Sequence, residues 1–360
     1  MTAGDCASPR VIVLGAGPAG LSAARCLMNR GITPTVLERG TGVAAVLRQV
    51  DPETRLLSPA RHSLLPGMTR AWYTEEYPTF AEVVAVMERY RREIAIEVTT
   101  GVDIAGIARD ETGFHLHGTD AVGQSVQFTA THVILATGTI SHPVLPVDFD
   151  ATRCEILWKH SRDLRTGDLR AARRLLVIGG GSSAGETLER WLDVRQDDDV
   201  AWLSLRSRLR TYVNPLFGIE WHDVSSVPER LPAALFGWRV GRLREPMNIR
   251  AIGPALRSGL IRRIGAVTEY AARMVRLADG QALEPDLIVF ATGYRESGPR
   301  MDGLVQYDPD GRPIVRACRV PPTPGLFWLG YRYGRNFASP YLRGIARDAE
   351  YVAGLIARNR

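Results

Sequence analysis

Two glycine-rich segments carry the chemistry this chain has to offer. Gly15-Ala-Gly17-Pro18-Ala19-Gly20 follows the apolar run Val11–Leu14, and Gly179-Gly-Gly181-Ser182-Ser183-Ala184 follows Arg174–Ile178. A turn of this kind opens a helix, whose first N–H groups are unpaired and whose dipole puts about half a positive charge there. A pyrophosphate reaches that field only by approaching the main chain closely, which a Cβ obstructs. Gly15 is therefore expected to make the tight turn, Gly17 to admit the phosphate, and Gly20 to let the helix pack on its strand. Glu38 lies eighteen residues beyond Gly20, where a carboxylate accepts hydrogen bonds from ribose hydroxyls. The second copy ends its next strand in Arg206-Ser207-Arg208, with Arg210 beyond. Guanidinium groups take phosphate in paired hydrogen bonds. The first segment thus suits FAD or NAD, its acid repelling a 2′-phosphate, and the second suits NADP.

Such turns need a strand before and a helix after. Residues 11–14 read as a buried parallel strand, the Ala- and Leu-rich run after Gly20 as a helix, and residues 34–38 as the next strand. The same grammar returns at 174–186 and 200–205. Each unit is closed far along the chain by an apolar strand ending in Ala136-Thr137-Gly138 or Ala291-Thr292-Gly293. The architecture is therefore repeated. Alternating residues at 94–117, with a Thr112-Gly113 turn, and at 271–283, around Asp279-Gly280, predict small antiparallel inserts. Residues 214–250 read as mixed helix and loop over the second nucleotide site, and 346–356 as a closing helix. The fold class is α/β with two Rossmann-like dinucleotide-binding domains, 1–148 plus 295–360 for FAD and 149–294 for NADP.

Composition excludes several other classes. A chain of 360 residues with 45% apolar and 23% charged residues is an ordinary globular protein of about two domains, neither disordered nor collagen-like. The apolar run from 11 to 24 is interrupted by glycine and proline and is too short to span a bilayer. The ten residues before it lack a basic leader, so the expected compartment is the cytoplasm, with no membrane partner. Cys6, Cys26, Cys154 and Cys318 lie far apart, which fits reduced structural thiols and no metal or dithiol centre. The net charge of +6 is nearly all arginine, Lys159 being the single lysine, and no run of five like charges occurs. That pattern argues against a nucleic-acid partner.

On these residues the sequence resembles the flavin-containing monooxygenases, and within them the short bacterial and plant-auxin-type members. The likeness also rests on Phe290-Ala-Thr-Gly-Tyr294, on Arg55-Leu-Leu-Ser58-Pro-Ala-Arg61-His62, and on the segments 324–330 and 339–348. It implies a glutathione-reductase-like arrangement of the two domains. FAD would lie on the first turn, against Glu38, Arg39, Arg48, Ser58, Val102, Ala136 to Gly138, Tyr331, Tyr341 and Leu342. NADPH would lie on the second turn, against Arg206 to Arg208 and Ala291 to Gly293. The resemblance implies hydride transfer from NADPH to FAD, O2 activation as a peroxyflavin, and oxygen transfer to a small molecule at sulfur, nitrogen, arsenic or a carbonyl. No side chain is the nucleophile, and no catalytic residue is assigned. Ser58, Arg61, His62, Tyr331 and Tyr341 are candidate walls, and His160 is either a hydrogen-bonded hinge or a catalytic group.

Departures from the family pattern keep other readings open. Only His160-Ser161 survives of the family's inter-domain fingerprint across 154–164. Ala44-Ala-Val-Leu47-Arg48 stands where the family has Gly-Gly-x-Trp-Arg, and Ser58 stands in place of an asparagine. An NAD(P)H-linked flavin reductase without oxygen insertion, and an FAD-binding protein without turnover, are the alternatives. Thioredoxin-reductase-like chemistry fits less well, because Cys-x-x-Cys is missing and Gly330 precedes Tyr331.

Overall fold

The computed structural model describes residues 9–213, 223, 247–296, 298–332 and 334–358. Cys6 and most of the stretch read as helix and loop from 214 to 250 lie outside the described residues.

β1 (Val11–Leu14) is buried at every position, as a strand covered on both faces must be. The chain turns at Gly15 into α1 (Pro18–Met28), which has proline in its first turn, where a missing N–H costs nothing. β2 (Thr35–Glu38) returns parallel to β1, with Val13 opposite Val36. α2 (Phe80–Glu93) is capped by Thr79, whose hydroxyl accepts the Glu82 N–H at 3.2 Å. β3 (Val98–Thr100) then pairs parallel with β2. Three antiparallel strands form a separate sheet: β4 (Asp103–Asp110), β5 (Gly113–Thr119) and β6 (Ser125–Ala130). β7 (His132–Leu135) joins the other side of β1.

β8 (His142–Pro143) leads into the second unit, which opens with β9 (Leu157–His160) and α3 (Thr166–Ala171). β10 (Arg174–Ile178), α4 (Ser182–Val194) and β11 (Val200–Ser204) repeat the first βαβ plan. β12 (Thr211–Tyr212) pairs with β13 (Met247–Asn248), and α5 (Gly253–Ser258) precedes β14 (Ile261–Ile264). β15 (Val267–Ala271), β16 (Met274–Leu277) and β17 (Ala282–Leu283) make the second antiparallel insert before β18 (Leu287–Phe290). β19 (Tyr294–Arg295) pairs with β8 where the chain crosses back. β20 (Leu326–Trp328) and α6 (Leu342–Arg358) complete the first unit.

The two main sheets run β20-β7-β1-β2-β3 and β14-β11-β10-β18-β9, all parallel, with the glycine-turn strand at the centre of each. A central strand delivers its turn to the middle of the carboxyl edge, where open α/β sheets bind ligands. α6 buries Ile345, Ala349, Val352, Ala353 and Ile356, one helical stripe, in the cluster that holds Leu21, Ala24 and Leu27 of α1. Among the described residues, no helix is long and apolar enough to cross a membrane.

Three local readings change. Residues 98–100 leave the expected antiparallel insert and join the parallel sheet, where β3 is an edge strand with exposed threonines and so alternates like a half-buried strand. The first insert gains a third strand, β6. The closing helix starts at Leu342 rather than 346, its first turn disguised by Gly344, whose added Cβ would stand 2.0 Å from the Ala338 carbonyl oxygen.

Candidate dinucleotide-binding sites

Both glycine turns are locked by the same contact. Gly15 has φ +103°, and a Cβ there would stand 2.5 Å from the carbonyl oxygen of Ala136. Gly179 has φ +137°, and its Cβ would stand 2.2 Å from the carbonyl oxygen of Ala291. The Ala-Thr-Gly strand of each unit therefore abuts its own turn, which no side chain could occupy. Gly20 is held differently, since a Cβ there would lie 1.8 Å from the Gly15 carbonyl oxygen across the α1–β1 packing. Gly17 has no atom within 4 Å of its Cβ position. The chain leaves a space there at the head of α1, a cradle that a side chain would fill.

A cavity of about 410 Å³ opens from that space. Gly15, Gly17, Pro18 and Ala19 of the first turn line it together with Glu38, Arg39, Val102, Ala136, Thr137, Gly138 and Leu342. Its size falls in the range of small-molecule and cofactor pockets. Glu38 Oε2 accepts the Ala16 N–H at 2.8 Å and Oε1 accepts the Gly40 N–H at 2.7 Å. Each oxygen keeps a further lone pair, so the carboxylate is oriented and still able to accept from hydroxyls.

Other expected contacts stand elsewhere. Arg48 donates Nε–H to the Val43 carbonyl at 3.0 Å and pairs with Glu88, and it does not line the cavity. Ser58 is half-buried, outside the cavity wall. Tyr331 is a core residue: its hydroxyl donates to the Pro313 carbonyl at 2.8 Å and its ring packs on Trp328. Tyr341 lies beside Phe337 with the Arg343 guanidinium 4.3 Å above its ring. Arg61 and His62 meet at Asp223, with Arg61 Nη2 at 3.0 Å and His62 Nε2 at 2.6 Å. Conversely, Ala44, Leu47, Leu56, Phe80, Ser141 and His142 line the cavity without being expected there, although Ala44, Leu47 and Leu56 fall in the segments 44–48 and 55–62 already set beside the family pattern. For Phe80 a signal existed, the Thr79-x-x-Glu82 capping pair that starts α2. Burial lowers the pKa of His142, with Arg39 and Arg162 acting in the same direction.

At the second turn Gly181 is the N-cap of α4, Ser182 and Ser183 form its first turn, and Ala184 is buried. Backbone register equates the two units. The Gly15 N–H donates to the Leu37 carbonyl at 2.7 Å and the Gly179 N–H to the Ser204 carbonyl at 3.2 Å. Leu205 therefore occupies the place of Glu38, and Arg206 that of Arg39. Arg206 Nη2 donates to both oxygens of Asp148, at 2.8 and 2.7 Å, while Ser207 and Arg208 are exposed.

A second cavity of about 730 Å³ lies between the segment 53–57 and the face of α4 that carries Glu186, Glu189 and Arg190. Leu56 is a wall of both cavities. Burial pushes the Glu186 carboxyl up to about 7, against the opposing charge of Arg190.

His160 sits where the two units join. It is buried at the end of β9, with Nε2 3.1 Å from the Gly293 carbonyl oxygen, and its Nδ1 accepts the Arg162 N–H at 3.2 Å. Both partners are satisfied only by a neutral ring protonated at Nε2. Burial lowers its pKa to match. The Gly293 carbonyl also accepts the Val144 N–H at 3.0 Å, which ties together the two crossing segments. Of the two roles open to His160, the geometry is that of the hinge.

Residues 12–213 match the family described as pyridine nucleotide-disulphide oxidoreductase. An indole-3-pyruvate monooxygenase of Oryza sativa subsp. japonica is 29% identical over 332 residues, covering 81% of this chain and 78% of its own length. The flavin-containing monooxygenase from Stenotrophomonas maltophilia superposes with a TM-score of 0.76 at 22% identity, over 98% of this chain and 99% of that one. The bacillithiol disulfide reductase from Bacillus cereus superposes with a TM-score of 0.72 at 18% identity, over 98% and 100%.

Proposed function

We propose that this chain, which belongs to the pyridine nucleotide-disulphide oxidoreductase family, is an NADPH-dependent, FAD-containing monooxygenase acting on a small molecule. The observation that carries this reading is the doubled lock, Gly15 on Ala136 and Gly179 on Ala291, with an open cradle at Gly17. One chain that builds two pyrophosphate turns is equipped to bring two dinucleotides together. We assign residues 1–148 and 295–360 to the FAD domain and 149–294 to the NADP domain.

The residues present fit FAD. The main chain from Gly15 to Gly20 would hold the pyrophosphate against the α1 dipole, Glu38 would orient the ribose, and Arg39 and Val102 would flank the adenine end. For NADPH, Gly179 to Ala184 would hold the pyrophosphate. Leu205 presents no acid to a 2′-phosphate, and Arg206 and Arg208 would take it. When bound, FAD would supply a two-electron store that accepts hydride from NADPH and reacts with O2. The acceptor is a sulfur, nitrogen, arsenic or carbonyl centre. His160 would hold the crossing segments through its bonds to the Gly293 carbonyl and the Arg162 N–H.

A second reading is an NAD(P)H-linked reductase without oxygen insertion, favoured by the engagement of Arg48 with Glu88 and by the loss of the glycines before it. Reduced protein mixed with O2 distinguishes the two. Oxygen uptake that runs well ahead of hydrogen peroxide release supports oxygenation. Uptake and peroxide rising together support the reductase. A chain that takes no electrons from NADPH contradicts both.

A further inference from the structure

We propose that Asp51 is a clamp between the two units, a positioning residue that sets α4 and its glycine turn against the first cavity. The inference rests on the functional reading above for its kinetic consequence, but its geometry stands alone. Asp51 is 3% exposed and sits in the strap between Leu47, a wall of the first cavity, and Leu56, a wall of both cavities. One oxygen, Oδ1, accepts the Glu53 N–H at 3.1 Å within the strap. The other, Oδ2, reaches into the second unit. There it accepts the Thr166 N–H, the Thr166 hydroxyl at 2.9 Å and Arg190 Nη2. Arg190 Nη2 also donates to the Thr166 hydroxyl at 3.1 Å, closing the network.

One carboxylate oxygen thus ties the strap to the first residue of α3 and to α4 together. Arg190 lies about two turns beyond the glycine turn at the head of α4, so any tilt of the helix about that bond displaces the turn. Glu186 lies one turn back on the same helix, the ordinary place for a glutamate to meet an arginine. Arg190 Nη2 donates instead to Asp51 Oδ2 and the Thr166 hydroxyl. A buried ion pair adds little stability over an apolar pair of equal size, but breaking one side of it is costly, which suits it to fixing one arrangement over its alternatives.

The test uses the FAD-loaded protein, with Asp51→Ala, Asp51→Asn, Arg190→Ala and the double variant Asp51→Ala/Arg190→Ala. Asp51→Asn keeps the volume and removes the charge, and it serves if Asp51→Ala fails to fold. FAD content should stay near that of the parent, because Asp51 does not line the first cavity. The limiting rate of flavin reduction at saturating NADPH should fall tenfold or more, with the KM for NADPH changing less than threefold. The double variant should be no slower than either single variant. Amide exchange at Thr166 and through α4 should accelerate tenfold or more, while β1 and α1 keep their protection. Unchanged exchange overturns the clamp whatever the rate does. Loosened exchange with a limiting rate within twofold of the parent overturns the positioning role. A parent protein that binds FAD yet takes no electrons from NADPH defeats the functional reading, and exchange alone then decides the clamp.

Discussion

A methyl group placed on Gly15 would meet the carbonyl oxygen of Ala136 at 2.5 Å, and the contact recurs between Gly179 and Ala291 at 2.2 Å. The repeat joins residues more than a hundred positions apart in each unit. It explains why an apolar strand ending in Ala-Thr-Gly accompanies each glycine turn. The alanine carbonyl is the surface against which the turn closes.

Gly15 and Gly17 should respond differently to the same substitution. Gly15→Ala forces a left-handed backbone and a clash, and should destabilise even the FAD-free protein by about 1–3 kcal/mol or more. Gly17 has extended backbone and an open Cβ direction. Gly17→Ala should leave the melting temperature of the FAD-free protein near that of the parent and still lower FAD retention. Melting curves with and without FAD, beside flavin-to-protein ratios, measure both. Equal apo destabilisation by the two variants contradicts the cradle.

Glu38→Ala removes the acceptor for two backbone N–H groups, of Ala16 and Gly40, beside the first turn. Unsatisfied donors there cost about 1–3 kcal/mol, and FAD retention should fall with them. Dialysis followed by flavin fluorescence reads the loss.

Asp148 competes for the guanidinium that would bind a 2′-phosphate. Arg206→Ala should raise the KM for NADPH by about tenfold, the worth of one charged hydrogen-bonding partner, and change that for NADH little. Asp148→Asn should lower the KM for NADPH. Steady-state kinetics with both nicotinamides decides, and parallel effects on the two would remove the NADP assignment.

Glu186 should make stability fall with pH. Burial raises its pKa from 4.5 to about 7, so between those values the folded chain keeps a proton that the unfolded chain has released. Stability from this group therefore declines as pH rises from about 4.5 to about 7 and is level above that range. Glu186→Gln should be more stable than the parent at pH 8 by about 1–3 kcal/mol, and nearly equal to it below pH 4.5. Denaturant titrations at the two pH values test it. An unchanged difference between them would show that the carboxyl titrates normally.

The parts legible in the chain are those whose reasons are local. A glycine turn is written in consecutive residues, because the strand before it, the steric demand within it and the helix after it all lie within a dozen positions. Glu38 is legible for the same reason, closing the strand that follows its turn, whereas Arg206 stands two residues past the end of β11 and Leu205 takes the register place of Glu38. The parallel sheets, the repeated units and the antiparallel inserts come from the same short-range periodicities. β3 escaped because a short edge strand alternates like an antiparallel one.

What the tertiary structure alone decided is where long side chains spend their hydrogen bonds. Arg48 turns to Glu88 and Tyr331 to Pro313, partners that no spacing announces. Asp51 is the extreme case: it reads as an unremarkable loop acid, yet its partners Thr166 and Arg190 stand 115 and 139 positions away. A flexible side chain takes the best partner within reach, and reach is set by how the two units pack. Backbone sterics act on neighbours in the chain, whereas a buried charge answers to neighbours in space.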